Sequence, residues 1–294
     1  MEKKVCFTSF VYGWYQDFIP IFILSVLKSY PQHFVRIFLY EELVEANKTS
    51  LQLLKEEFPN SFDVIENVKE FDTWGIPHKA AYRFIMSSDY FPEFEYIYFS
   101  DIDFIVYNQF NDNFYETYLE HCEKTGLPFS NSWNFDWGKY RMFGLHFVIK
   151  TPYFDIMDKW IKIMKGQNKF KSQAPYNAQD PSYDEEMLFY MLAHEFDLSS
   201  IINYGRRFPG VHLAQFRTKE IYEPMLIGRR EYETRIHSEH LEREKIVREK
   251  IDLIIKTDLF TKIFYKLPEK GRYTLSNYCE YIRHNLPALD LNKA

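Results

Sequence analysis

Asp101 and Asp103 interrupt an apolar run, Tyr96-Ile97-Tyr98-Phe99-Ser100-Asp101-Ile102-Asp103-Phe104-Ile105-Val106. Read as one buried strand, the run sends alternate side chains to opposite faces, so both acids share a face while Ile102 turns back to the core. Two like charges in one small region need a cation, a basic side chain or solvent to compensate them. A hard divalent metal that also takes phosphate oxygens meets that need; so do two solvated acids opening a turn. His212 is a candidate third donor, since two carboxylates and one imidazole suit Mn2+ or Mg2+. A histidine on a short strand also serves simply in packing.

Three further groups could do chemistry. Phe10-Val11-Tyr12-Gly13-Trp14-Tyr15 follows directly on a first strand, where an aromatic ring and backbone groups can hold a nucleobase or merely pack the core. Asp184-Glu185-Glu186 opens a helix, where the dipole favours acids whether or not one of them reaches into a cleft. Arg83, Arg217 and Lys219 can bind a diphosphate beside a metal, or stay solvated.

The elements that must position these residues alternate. Strands are expected at 5–11, 35–40 and 62–65, helices at 18–29, 49–58 and 79–87, and then comes the acid-bearing strand. This order implies a largely parallel sheet with ligands at the carboxyl ends of its strands, where Asp101 and Asp103 lie. A second block holds a strand at 143–149 and helices at 153–165 and 184–194. The polar segment 166–181 between those helices is a candidate lid. Pro209-Gly210-Val211-His212 turns into a short strand. From about residue 231 a charge-alternating helix runs to 250, followed by a basic amphipathic stretch over 251–267.

Composition bounds the reading. The 294 residues can bury a substantial core, and an aromatic content of 19% excludes a disordered chain. A net charge of -6 provides no basic field for nucleic acid. The imbalance is local: residues 218–294 hold 15 Lys and Arg against 13 Asp and Glu. Cys6, Cys122 and Cys279 are widely separated, which suggests neither a zinc site nor a disulfide framework and favours a reducing compartment. The longest apolar stretch, 18–27, is too short to span a bilayer. A cytoplasmic location is therefore expected, with peripheral contact at the inner membrane face through the C-terminal helices.

Taken in order, these groups resemble retaining glycosyltransferases of the GT-A fold, most closely the sixth family, which includes the blood-group A/B transferases and α-1,3-galactosyltransferases. The resemblance spans about residues 5–217. Phe10 to Tyr15 followed by Gln16-Asp17-Phe18 is similar to that family's uridine-binding aromatics and next helix. Trp74 and Arg83-Phe84-Ile85-Met86-Ser87-Ser88-Asp89 resemble its segment with a donor-binding arginine. Asp101-Ile102-Asp103 is similar to its Asp-x-Asp strand, which holds Mn2+ on the donor diphosphate. Met142-Phe143-Gly144 falls where the family selects its donor sugar. Asp184-Glu185 with Leu188 matches its Asp-Glu pair, which implies that Asp184 contacts the donor sugar and Glu185 is the nucleophile or cation stabiliser.

Two departures touch the sugar sites: Leu145-His146-Phe147-Val148 replaces a glycine-rich segment, and Ser182-Tyr183 replaces an aromatic-histidine pair. Gly210 to Arg217 instead resembles the metal-binding histidine segment of the eighth family, with Gln215 where a glycine is expected.

The resemblance implies a GT-A catalytic domain over 1–217, divided into a nucleotide-binding half (1–107) and an acceptor half (108–217), and a helical extension over 218–294. It implies transfer of galactose or N-acetylgalactosamine from a UDP-sugar to a saccharide or glycolipid hydroxyl, forming an α-glycoside. Alternatives are an eighth-family-like α-glucosyl- or galactosyltransferase of cell-surface glycan synthesis, a non-catalytic nucleotide or sugar binder, and a nucleotidyltransferase attacking phosphorus.

Overall fold

The computed structural model describes residues 5–108 apart from 75 and 77, 114–166 apart from 137, 183–201, 210–218 and 238–282. Lys219 and nearly all of the polar segment 166–181 lie outside these residues.

The central sheet is mostly parallel. Its strands are β1 (Val5–Val11), β2 (Phe34–Leu39), β3 (Phe62–Ile65), β4 (Tyr96–Phe99), β6 (Phe129–Ser130) and β9 (His146–Ile149), in the order β3-β2-β1-β4-β9-β6. β1, β2, β3 and β4 pair in parallel, and β9 runs antiparallel between β4 and β6. All seven residues of β1 are buried, Thr8 and Ser9 included, which is why the strand shows no regular apolar–polar alternation. The order reverses beside β1, with β2 reached on one side and β4 on the other. Open α/β sheets leave a crevice for ligands at such a point, outside the carboxyl ends of the strands.

Helices cover both faces: α1 (Ile19–Ser29), α2 (Glu45–Glu57), α3 (Phe114–Thr125), α4 (Lys150–Gly166) and α5 (Tyr183–Glu195). Ile19 to Leu27 are all buried, so α1 is a core helix, and Pro20 sits in its first turn, where no backbone donor is lost. Residues 79–87, expected as a helix, form a shorter 3-10 segment, Lys79–Ile85. The chain bends out of it at Met86, whose backbone is extended.

The acid-bearing run is not one strand. β4 ends at Phe99, Ser100 N–H makes a last bond to the Thr8 carbonyl (2.9 Å), and the chain leaves the sheet. β5 (Phe104–Val106) then pairs antiparallel with β10 (Gly210–His212). The alternation argument therefore fails for Asp101 and Asp103, which lie in the bend between two sheets. Side chains from α1 satisfy β5. Ser25 Oγ accepts from Val106 N–H, and Ser29 Oγ donates to the Val106 carbonyl, both at 3.0 Å.

A hairpin absent from the sequence reading, β7 (Trp133–Asp136) with β8 (Lys139–Met142), packs on α5. Gly138, with φ at 77°, takes the left-handed conformation its turn requires.

In the described part of 218–294, α6 (Ser238–Ile255), α7 (Asp258–Lys266) and α8 (Glu269–Ile282) join the same core as the sheet. The basic amphipathic stretch breaks where Thr257 caps α7, its side chain accepting from Phe260 N–H. The apolar face of α7, with Phe260, Ile263 and Phe264, is buried within the chain, which removes that face as a means of membrane contact. Gly271 N–H of α8 donates to Asp17 (3.1 Å) and Asn277 Nδ2 to the Phe216 carbonyl (2.8 Å). These bonds brace the turns that carry Tyr15 and Arg217. Among the described residues no helix is long and apolar enough to cross a membrane.

Candidate active site

A cavity of about 380 Å³ opens at the carboxyl ends of β1 and β4, within the range of small-ligand pockets. Phe10, Val11, Tyr12, Tyr15, Arg83, Asp101, Ile102, Asp103, Asp184, Glu185, His212 and Arg217 all line it, although they come from five separate stretches of sequence. Met142 is fully buried and does not line it. His78, Ser9 and Ala80, which sequence reasoning missed, do. The only signal for His78 was a histidine five residues ahead of Arg83.

Arginines compensate the acids. Arg83, only 5% exposed, bridges Asp101 through Nη1 and Asp184 Oδ2 through Nη2, the latter at 2.7 Å. Asp103, 2% exposed, accepts from Arg217 on Oδ2, and its Oδ1 lies 3.1 Å from His212 Nε2. Burial opposes ionisation of Asp103, but its hydrogen bonds and charge contacts with His212 and Arg217 prevail and hold its pKa below the ordinary value. Burial likewise opposes the charged form of His212, and Asp103 outweighs it, so the imidazole pKa is raised.

His212 is positioned by the β5–β10 ladder, opposite Phe104, on whose ring it stacks (4.8 Å, 11°). Leu213 N–H bonds the Asp103 carbonyl at 2.8 Å, tying the histidine segment to the acid. A Cβ at Gly210 would stand 2.4 Å from the Ile105 carbonyl oxygen, so this strand pair closes only with glycine there.

Asp184 and Glu185 begin α5, yet both side chains turn to the cavity. Glu185 Oε1 accepts from Gly144 N–H at 3.2 Å. Burial, then the charges of Asp184 and Asp101, push its pKa up to about 7. Burial is also the leading cause of the raised Asp184 pKa, with Asp101 adding to it against Arg83. Glu186 is different: it is buried and paired with Lys139 at 3.1 Å.

Gly144 sits behind the acid cluster. A Cβ there would approach Arg83 Nη2 to 2.8 Å and Asp101 Oδ2 to 3.0 Å. A buried network holds its segment. Asn131 Nδ2 donates both to the Phe143 carbonyl (2.9 Å) and to His146 Nδ1 (3.0 Å), leaving His146 Nε2–H for the Tyr153 hydroxyl (3.2 Å). Burial lowers the His146 pKa to about 3, so the ring is neutral. Gly144→Ala should therefore displace the Arg83–Asp101 pair and cost about 1–3 kcal/mol in urea unfolding. Wild-type stability in that variant would mean that the pair has room to move.

The aromatic wall is layered. Phe10 is 4% exposed and meets Phe71 and Tyr82 edge-on, so most of its ring belongs to the core. Tyr12 and Tyr15, half-buried with centroids 6.0 Å apart, form the cavity side. The Arg217 guanidinium lies 4.7 Å from the Tyr15 ring and 5.5 Å from Trp14, so one cation is held between rings and carboxylate.

Asp101, Asp103 and His212 have the donor types that Mn2+ or Mg2+ takes, and all three line the cavity. The two acids are paired with arginines, however, and among the described residues no three His, Cys, Asp or Glu side chains are grouped to hold an ion.

No protein-family model and no curated protein matches the chain. Among solved structures it is similar to the galactosyltransferase LgtC in complex with donor and acceptor sugar analogs. The two are 16% identical over 55% of this chain and 65% of that one, with a TM-score of 0.34. It is also similar to the glycosyltransferase GlyE of Streptococcus pneumoniae TIGR4, at 14% identity over 64% of this chain and 43% of that one, with a TM-score of 0.39. The chain thus spans less than two thirds of the length of either of these structures. Superpositions this loose establish neither a family nor an activity.

Proposed function

We propose that the chain is a retaining glycosyltransferase moving a hexose, galactose or N-acetylgalactosamine, from UDP to a hydroxyl of a saccharide or glycolipid acceptor. The observation that supports this reading is the convergence of Tyr12, Tyr15, Arg83, Asp101, Asp103, Arg217, Asp184 and Glu185 on one cavity. The site also suits the order of parts in a nucleotide sugar. Tyr12 and Tyr15 stand where a base would lie, the Arg83 and Arg217 guanidiniums where a diphosphate would, and Asp184 and Glu185 where the sugar would.

Charge balance bears on the metal. Four carboxyl groups face two guanidiniums and the imidazoles of His78 and His212, so a diphosphate entering this cavity adds negative charge to a site already rich in carboxylates. To hold a Mn2+ or Mg2+ ion, Asp101, Asp103 and His212 would have to draw together and the two acids give up their arginine contacts, and the ion would then supply Lewis-acid neutralisation of the leaving diphosphate.

The chain's own groups do the rest. The Glu185 carboxylate attacks the anomeric carbon as the bond to UDP breaks, and the departing electron pair goes to the diphosphate beside Arg83 and Arg217. The acceptor hydroxyl then displaces the Glu185 carboxylate from the opposite face and gives its proton to the departed diphosphate, so two inversions give retention. Stabilisation of an oxocarbenium-like centre by the same carboxylate leads to the same product. The short β10 strand carrying His212 favours the eighth-family-like variant, an α-glucosyl- or galactosyltransferase of cell-surface glycan synthesis.

A UDP-sugar panel with Mn2+ and mixed acceptors tests the reading through UDP release. UDP-galactose or UDP-N-acetylgalactosamine should be consumed, and Asp103→Asn should lower turnover by roughly 10²-fold or more. Undiminished activity in EDTA would remove the metal. Cleavage at phosphorus would indicate a nucleotidyltransferase, and UDP binding without turnover on any acceptor a silent binder.

A further inference from the structure

Beyond the cavity, exposed rings gather in one place. Phe135 is 59% exposed, Tyr140 41% and Tyr190 37%, whereas the other exposed large apolar residues are scattered along the chain. Phe135 and Tyr140 pair across the β7–β8 hairpin with centroids 4.7 Å apart. Tyr140 lies flat on Phe189 of α5 (5.0 Å, 12°), with Trp133 edge-on to both, and Tyr190 stands 5.5 Å from Phe189. Single exposed rings need no explanation, but a contiguous group of them marks an interaction surface.

This surface is continuous with the candidate active site. Glu185 and Phe189 are four residues apart on α5, so they share a face about 6 Å apart along the helix axis. At the hairpin's root, Phe143 N–H bonds the Ser132 carbonyl (3.0 Å), and the next residue, Gly144, donates to Glu185. A molecule with its reacting hydroxyl at Glu185 would extend along α5 over Tyr140.

We propose that the β7–β8 hairpin is the platform on which the non-reacting units of an oligosaccharide acceptor stack. The apolar C–H face of a pyranose lies flat on rings such as Phe135 and Tyr140, while its hydroxyls need donors at the edge. The link to transfer rests on the function proposed above, but the binding claim can be tested without it.

The wild-type protein and Phe135→Ala should be titrated with tetrasaccharides of gluco-, galacto- and manno-configuration without donor, followed by two-dimensional NMR. UDP binding is measured in parallel by calorimetry. Phe135 is mostly exposed, so its truncation should leave the fold intact, and Tyr140→Phe serves as a control that keeps the ring. At least one tetrasaccharide should bind saturably and more tightly than its disaccharide. Phe135→Ala should weaken it roughly five- to tenfold, with UDP affinity unchanged and Tyr140→Phe near wild type. Binding by no saccharide, equal binding by Phe135→Ala, or ring-dependent adsorption to bare phospholipid vesicles instead would overturn the proposal. Failure to bind UDP would count against the proposed transferase and leave the platform standing.

Discussion

Glu185→Gln is expected to abolish most turnover and, above neutral pH, to make the protein more stable. Burial and the neighbouring Asp184 and Asp101 hold the carboxyl pKa near 7, against an ordinary value of 4.5. Between these values the folded state binds more protons than the unfolded state, so wild-type stability falls as pH rises through the interval and levels off above it. A shift of that size corresponds to about 3 kcal/mol, an amount the non-titrating amide escapes. The bond from Gly144 N–H is retained, because Gln Oε1 accepts it equally well. Turnover should fall by several orders of magnitude with UDP-sugar affinity nearly kept, since the carboxylate acts as positive charge develops at the sugar. Wild-type turnover itself should rise with pH through about 7 as Glu185 ionises. Urea unfolding at pH 5 and pH 8, with single-turnover rates on the same variant, checks both halves. A variant less stable than wild type at pH 8 would return Glu185 to a role in starting the helix.

Removing Arg83 should have the opposite signature. Its guanidinium lies buried between Asp101 and Asp184, so Arg83→Ala leaves at least one carboxylate without a partner and should cost about 3–5 kcal/mol. Adding Asp184→Asn should recover part of this loss by removing the orphaned charge, a non-additivity that separates pairing from simple packing. A double-variant loss equal to the sum of the two single-variant losses would show that the two side chains act independently.

Much of this site was legible because its parts lie at the ends of buried strands. β1 and the aromatics after it, α1 with its early proline, and the acids opening α5 each carry a local signature of period, turn or cap. What failed was geometry set by distant partners. No periodicity tells that the chain leaves the sheet at Ser100, because the choice depends on β10 arriving more than 100 residues later to pair with β5. The pairing of Asp103 with Arg217 and of Arg83 with Asp184 is equally non-local. The hairpin offered a signal, alternating Trp133, Phe135, Tyr140 and Met142 around Gly138, which went unread among so many aromatics. Residues 251–267 look amphipathic whether the face they bury belongs to a membrane or to this protein, and α7 buries it here.

The most direct test of the central claim is the anomeric configuration of the glycoside formed from an α-linked UDP-sugar donor, read by proton NMR on the reaction mixture. If Glu185 faces the anomeric carbon and the diphosphate leaves beside Arg83 and Arg217, the transferred hexose carries an α-linkage and UDP accumulates in equal amount. A β-linked product, or sugar 1-phosphate with UMP in place of UDP, would contradict it.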